Sequence, residues 1–187
     1  MSICKVCKTD FMKTKPLQTV CGLECAKVLG ATKAKAIKAK RERLDRAETR
    51  ERLEAIKPRS KFMAEAQAIA NRYARVRDMA DGCISCDKPA SWGGQWHGSH
   101  FRSVGAASAV RLNLWNIHKA CSICNNHLSG NIAAYTPRIV TKIGAGRVDW
   151  LQAQNQLTRH EIDYLKKYKR VIGKRLKRME KKHALQS

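Results

Sequence analysis

Acidic residues are scarce: 15 Asp and Glu stand against 38 Lys and Arg, a formal charge of +23 at pH 7. Solubility needs far less, so the excess points to a polyanionic partner. Also missing is any apolar run near the roughly 20 residues that cross a bilayer, which excludes a transmembrane helix. Neither basic flank carries a broad aromatic or leucine face, so an anionic membrane surface is disfavoured as the partner. The N-terminus lacks the apolar stretch of a secretory leader. The eight cysteines are therefore expected to be reduced, in a cytoplasm, and reduced cysteines in pairs read as zinc ligands rather than disulfides.

The charge is unevenly spread. Lys and Arg outnumber Asp and Glu by 16 to 7 over residues 1–60, by 7 to 3 over 81–150 and by 11 to 3 over 151–187. The flanks suit phosphate contacts that fix position, leaving the middle to something more specific. From Ala31 to Lys57 the chain is rich in Ala, Lys, Arg and Glu without Gly or Pro, which predicts a helix. Its apolar positions, Ile37, Leu44, Leu53 and Ile56, are too sparse for a buried face. A second helix is expected from Ser60 to about Met79, with Phe62, Ala66, Ile69, Tyr73 and Val76 at helical spacing. Thr136-Pro137 reads as an N-cap with proline at the first helical position, and Gly144 as the stop. Thr158 and Glu161 read as a capping box opening a long helix with Ile162, Leu165, Tyr168, Ile172, Leu176 and Met179 on one side.

The cysteines form two groups. Cys4-x2-Cys7, thirteen residues, then Cys21-x3-Cys25 suits four thiolates around a tetrahedral zinc. Such a site is saturated, so its role is structural. Cys83-x2-Cys86, thirty-four residues, then Cys121-x2-Cys124 is a second zinc site by the same logic. Between and beyond these pairs lie His97-Gly98-Ser99-His100, Asn116-Ile117-His118 and Asn125-Asn126-His127. Zinc already has its ligands, so these imidazoles and amides are free for a second site. A neutral histidine can take a proton from water near pH 7. Singly, His97 and His118 read as structural or hydrogen-bonding, and His160 and His183 as uninvolved. The four tryptophans, Trp92, Trp96, Trp115 and Trp150, are expected in the core of a small zinc fold.

Gly98-x-His100, a long loop, Asn116-Ile117-His118-x-x-Cys121-x-x-Cys124-Asn125 and His127, bracketed by two Cys pairs, resembles the zinc-stapled HNH, or His-Me finger, nucleases. Together with Cys83-Ile84-Ser85-Cys86, Ser129-Gly130-Asn131, the N-terminal Cys cluster, the Lys-Pro-Arg-Ser turn at 57–60 and the basic C-terminal helix, it is similar to the NinG, or Rap, family of phage recombination endonucleases. The likeness covers nearly the whole chain. It implies an α+β, mostly helical protein: a four-Cys zinc module over 1–30, a basic helical arm over 31–58, a zinc-stapled HNH (ββα-metal) core with its preceding helix over 59–150, and a basic helical region over 151–187.

The resemblance further implies cleavage of branched DNA such as Holliday junctions and D-loops, in the host bacterial cytoplasm. His100 falls on the general base, and Asn116 on the residue that holds the loop and orients the histidine. Asn125 or His127 would bind a catalytic Mg2+ or Mn2+. Many HNH nucleases place Asp before the base, where this chain has Ser99, so His97 or water would complete the shell. Arg102 and the helix residues Lys166, Lys167, Lys169, Arg170, Lys174, Arg175, Lys177 and Arg178 are the expected DNA contacts. Symmetric cutting of a junction needs two sites, so a homodimer is expected, with the apolar positions at 34–56 and 162–179 as interfaces. The competing reading is a non-catalytic zinc module that binds nucleic acid.

Overall fold

In a computed structural model, which describes residues 1–185, the chain divides into two units, one of residues 1–57 and one from residue 58 onward. The first unit opens with two short antiparallel strands, β1 (Ser2–Ile3) and β2 (Asp10–Phe11). Lys8 takes the left-handed conformation in the turn between them, at φ 64°. Helix α1 (Leu23–Ala55) follows. It starts eight residues before the expected Ala31, because extended Gly22 precedes it and Glu24 in its first turn complements the helix dipole. None of its residues is buried, and Ile37, Leu44, Leu53 and Ile56 are exposed. Pairs such as Glu42–Arg46 and Glu48–Arg52 sustain it, each contributing about 0.2–0.5 kcal/mol.

The second unit holds α2 (Arg59–Arg77), the antiparallel strands β3 (Trp96–His100) and β4 (Ile117–Cys121), and three helices, α3 (Ile132–Ile143), α4 (Ala145–Ala153) and α5 (Ile162–Ala184). Every residue of β4 is buried. The inner face of α2 is Phe62, Met63, Ala66, Ala70 and Ala74. Its alanines let the helix lie close to both α5 and the strand pair. On α5 the side facing α2 is Leu165, Ile172 and Leu176. That stripe, expected at a dimer interface, is therefore covered within the chain by α2. A second core joins Phe101, Val110, Tyr135, Ile139, Val148 and Leu151 to the second cysteine group.

Three local expectations are corrected. Helix α3 begins at Ile132, not after Thr136, and Pro137 lies inside it. Asn131, at φ 49°, turns the chain into the helix, and burying Tyr135 and Ile139 on one face outweighs the hydrogen bond proline cannot make. Gly144 ends it as expected, at φ 87°. The capping box at Thr158 and Glu161 does not form. Glu161 is the N-cap without a side-chain bond, while the Thr158 amide donates to Ser108 Oγ at 2.7 Å. Trp92 and Trp96 pack edge to face against the zinc-side core. Trp115 and Trp150 pair edge to face but stay 42% and 44% exposed, outside the expected core. Among the described residues no helix is long and apolar enough to cross a membrane.

Gly98 is where β3 meets α2: a Cβ there would lie 2.8 Å from Asn71 Cα, a backbone clash. Gly98→Ala is expected to destabilise the second unit by about 1–3 kcal/mol, the usual scale of overpacking. Urea denaturation followed by circular dichroism checks this, and an unchanged midpoint contradicts it.

Candidate active site and metal centres

The eight cysteines converge as two groups of four, Cys4, Cys7, Cys21 and Cys25, and Cys83, Cys86, Cys121 and Cys124. Sulfur–sulfur distances are 3.5 Å for Cys7–Cys21, 3.6 Å for Cys21–Cys25 and 3.8 Å for Cys86–Cys121. Four sulfurs about 2.3 Å from a tetrahedral zinc are spaced on this scale. Backbone amides also point at sulfur: Cys121 N–H donates to Cys83 Sγ at 3.2 Å, and Cys124 N–H to Cys121 Sγ at 3.4 Å. Burial pushes the Cys83 and Cys124 thiols up, so thiolates sit here together only when a cation offsets them. Both groups fit a zinc ion. The second pins the start of the 83–86 loop to the end of β4, and through the strand register to β3.

His100 ends β3, paired with Ile117. Its Nε2 lies 3.0 Å from the carbonyl oxygen of Arg111 and 3.2 Å from the amide nitrogen of Gln67. The nearer partner can only accept, which places the ring proton on Nε2. The Gln67 amide is oriented at both ends: Arg111 Nε donates to its oxygen, and its nitrogen donates to Asn71 Oδ1. Nδ1 of His100 has no hydrogen-bond partner among the described residues, so its lone pair is free. Burial lowers the His100 pKa from its usual 6.5, further aided by the Arg111 charge and only partly opposed by the bond to the Arg111 carbonyl. The imidazole is thus neutral at pH 7, with one nitrogen ready to take a proton.

The loop that supplies the Arg111 carbonyl is held by Asn116. Its buried amide accepts from Arg102 N–H at 2.7 Å and donates to the carbonyls of Arg102 and Val110 at 3.0 and 3.1 Å. Asn116 touches the loop rather than His100, which makes it a positioning residue. His118 is buried in a network: Nε2 lies 2.9 Å from the Trp115 carbonyl and Nδ1 2.9 Å from Arg77 Nη2. Asp78 anchors that network. Burial alone would raise its carboxyl, but Arg77, His118 and Lys142 outweigh it and hold it well below the usual carboxylate range.

The expected catalytic-metal residues come together in part. Strand alternation puts His97 and Ser99 on the face of β3 away from His100, and His97 Nδ1 lies 3.2 Å from Asn125 Nδ2. His127 is exposed at the end of a π-turn, Ile123–His127. The cysteine clusters are the only groups of three or more His, Cys, Asp or Glu with converging ligand atoms among the described residues, so neither histidine joins such a group. Asn125 and His127 offer an amide oxygen and an imidazole nitrogen, so a divalent cation there would have to take its other ligands from water and phosphate. Arg102 is occupied: its Nη2 donates to Asn155 Oδ1 at 2.6 Å and to the Gln154 carbonyl. On α5, Lys169 pairs with Glu65 and Lys166 lies over the Phe62 ring. Lys167, Arg170, Lys174, Arg175, Lys177 and Arg178 are exposed.

Sequence reasoning missed Gln67, Asn71 and the Arg111 carbonyl. The available signal was a polar pair at i, i+4 on a helix face otherwise apolar. The metal centres predict two zinc ions per chain by elemental analysis of purified protein. Cys124→Ser should bring that to about one and lower the melting temperature, and an unchanged zinc content would contradict the assignment.

The sequence matches the family described as NinG: Bacteriophage Lambda NinG protein, over residues 1–182. It is 37% identical over 123 residues to Protein ninG of Escherichia phage lambda, covering 66% of this chain and 59% of that protein. It is 36% identical over 123 residues to Protein ninG of Salmonella phage P22, covering 66% and 60%, and 35% identical over the same length to Protein ninG of Escherichia phage 933W. The chain therefore spans about 60% of the length of the curated relatives it matches. No solved structure matches it. A match across nearly the whole chain shows that this protein belongs to the NinG family.

Proposed function

We propose that this chain is a phage recombination endonuclease of the HNH type, hydrolysing phosphodiester bonds in branched DNA such as Holliday junctions and D-loops. The observation that carries the reading is His100: a neutral imidazole with Nε2 tied to a carbonyl and Nδ1 unpartnered, at the end of one strand of an antiparallel pair. In the proposed reaction Nδ1 accepts a proton from water while the water oxygen attacks phosphorus and the phosphorus–oxygen ester bond breaks. The bond from Nε2–H to the Arg111 carbonyl keeps the ring from turning. A bound Mg2+ or Mn2+, held by Asn125 or His127 with water completing the shell in place of His97, which faces away from His100, would supply Lewis-acid stabilisation of the phosphate charge and the leaving oxygen.

The charge of +23 supports a DNA partner, and the exposed basic face of α5 supports backbone contacts that read no sequence. With the α5 stripe covered by α2, the exposed apolar positions of α1 remain the candidate homodimer interface. The test is a labelled four-way junction with Mg2+ or Mn2+. Cleavage is expected from the wild type and a loss of about 10²–10⁴-fold from His100→Ala, the scale of general-base catalysis, with junction binding retained. Binding without cutting under either metal would favour a non-catalytic zinc module instead.

The pH profile gives a second test. The neutral ring is the active form, so the rate should be full above the His100 pKa and fall as pH drops through it. Because burial lowers that pKa, the fall lies below 6.5. Activity declining already from pH 8 to 7 would contradict this assignment.

A further inference from the structure

The second unit carries a cleft of about 590 Å3 between the start of α2, the turn at Ser108–Arg111 and the segment leading into α5. Three guanidinium groups, those of Arg59, Arg111 and Arg159, line it, and no carboxylate does. None of the three makes a salt bridge among the described residues. Arg59 reaches only the His160 carbonyl, at 3.4 Å. Arg111 uses its Nε on Gln67, and its two terminal nitrogens have no partner among the described residues. The first turn of the 19-residue α2 lies at the cleft without a side-chain cap, adding backbone N–H donors and the positive end of the helix. The walls are tied together, with Ser108 Oγ bonded to both the amide and the carbonyl of Thr158. His160 is stacked on Tyr164 at 4.9 Å.

Three unpaired guanidiniums in a fixed concave surface, without an acid to neutralise them, form a receptor for tetrahedral oxyanions. Its place narrows the ligand. The backbone of Arg111 bonds His100 and its side chain lines the cleft, so one residue borders both sites. Each DNA strand carries a charge about every 3.4 Å along its axis. We propose that this cleft binds a backbone phosphate of the DNA strand engaged at His100, one or two nucleotides from the scissile bond. The inference rests on the nuclease reading for the identity of its strand, and on the cleft alone for its chemistry.

The test uses the full zinc-loaded chain in a His100→Ala background, where DNA is not cut. Four-way junctions carrying a single neutral methylphosphonate at successive backbone positions are titrated against this parent and against the same chain with Arg59→Gln and Arg159→Gln. Arg111 is left intact because it orients Gln67. A small set of adjacent methylphosphonates should weaken binding to the parent and have no further effect on the double variant. The double variant should also lower the slope of log Kd against log salt by about 0.9 for each phosphate that it no longer neutralises. A double variant as sensitive as the parent to every substitution overturns the proposal, as does an unchanged salt slope. Cleavage by the chain with His100 intact is scored separately: its absence sinks the nuclease reading, while the phosphate scan still decides the cleft.

Discussion

The carbonyl oxygen of Arg111, 3.0 Å from Nε2 of His100, sits in a segment with no strand or long helix to hold it. The chemistry assigned to His100 requires that oxygen to stay where it is, because it decides which ring nitrogen carries the proton. Two sets of contacts keep it there. Asn116 ties both ends of the 102–110 loop to β4 with three hydrogen bonds, and Arg111 is tied through Gln67 to α2. The histidine is fixed independently, by a strand whose partner ends at Cys121, one of four converging thiols that could hold zinc. A small unit with few strands thereby achieves the rigidity that the role proposed for His100 would need.

Burial serves both electrostatics and packing here. In a chain this basic, a histidine near Arg111 is driven toward its neutral form by charge as well as by desolvation. Asp78 shows the complementary case. It is almost fully buried, yet Arg77, His118 and Lys142 surround it and keep it ionised. That cluster occupies His118, leaving it unable to serve as a base. Two histidines in similar burial thus differ in whether Nδ1 is engaged, at His118 by Arg77, or left without a partner among the described residues, at His100.

How much could be read from the sequence follows from the range of the interactions concerned. The cysteine groups were legible, since four ligands at short spacing have few alternatives once the thiols are reduced. The helices α1, α2 and α5 were legible in kind, because propensity and period act locally. Their ends were less so. Thr158 and Glu161 have the spacing of a capping box, but the Thr158 amide finds Ser108, fifty residues away. Likewise Pro137 reads as a helix start, and long-range burial of Tyr135 and Ile139 moves that start back to Ile132. At the site, His100 and Asn116 stood out by motif. Gln67, Asn71 and the Arg111 carbonyl did not, because a backbone oxygen has no sequence signature and α2 meets β3 only in three dimensions. The bonds of Arg102 to Asn155 and Gln154 are likewise absent from the sequence pattern, because those partners lie about fifty residues further along the chain.

The state of one ring decides whether this arrangement is a poised base. Nitrogen NMR of protein labelled at histidine, with His100 assigned by comparison with His100→Gln, reports the protonation of each ring nitrogen directly. At pH 7 the account predicts a neutral His100 with its proton on Nε2 and an unprotonated Nδ1. A ring protonated on Nδ1, or charged at that pH, would contradict it.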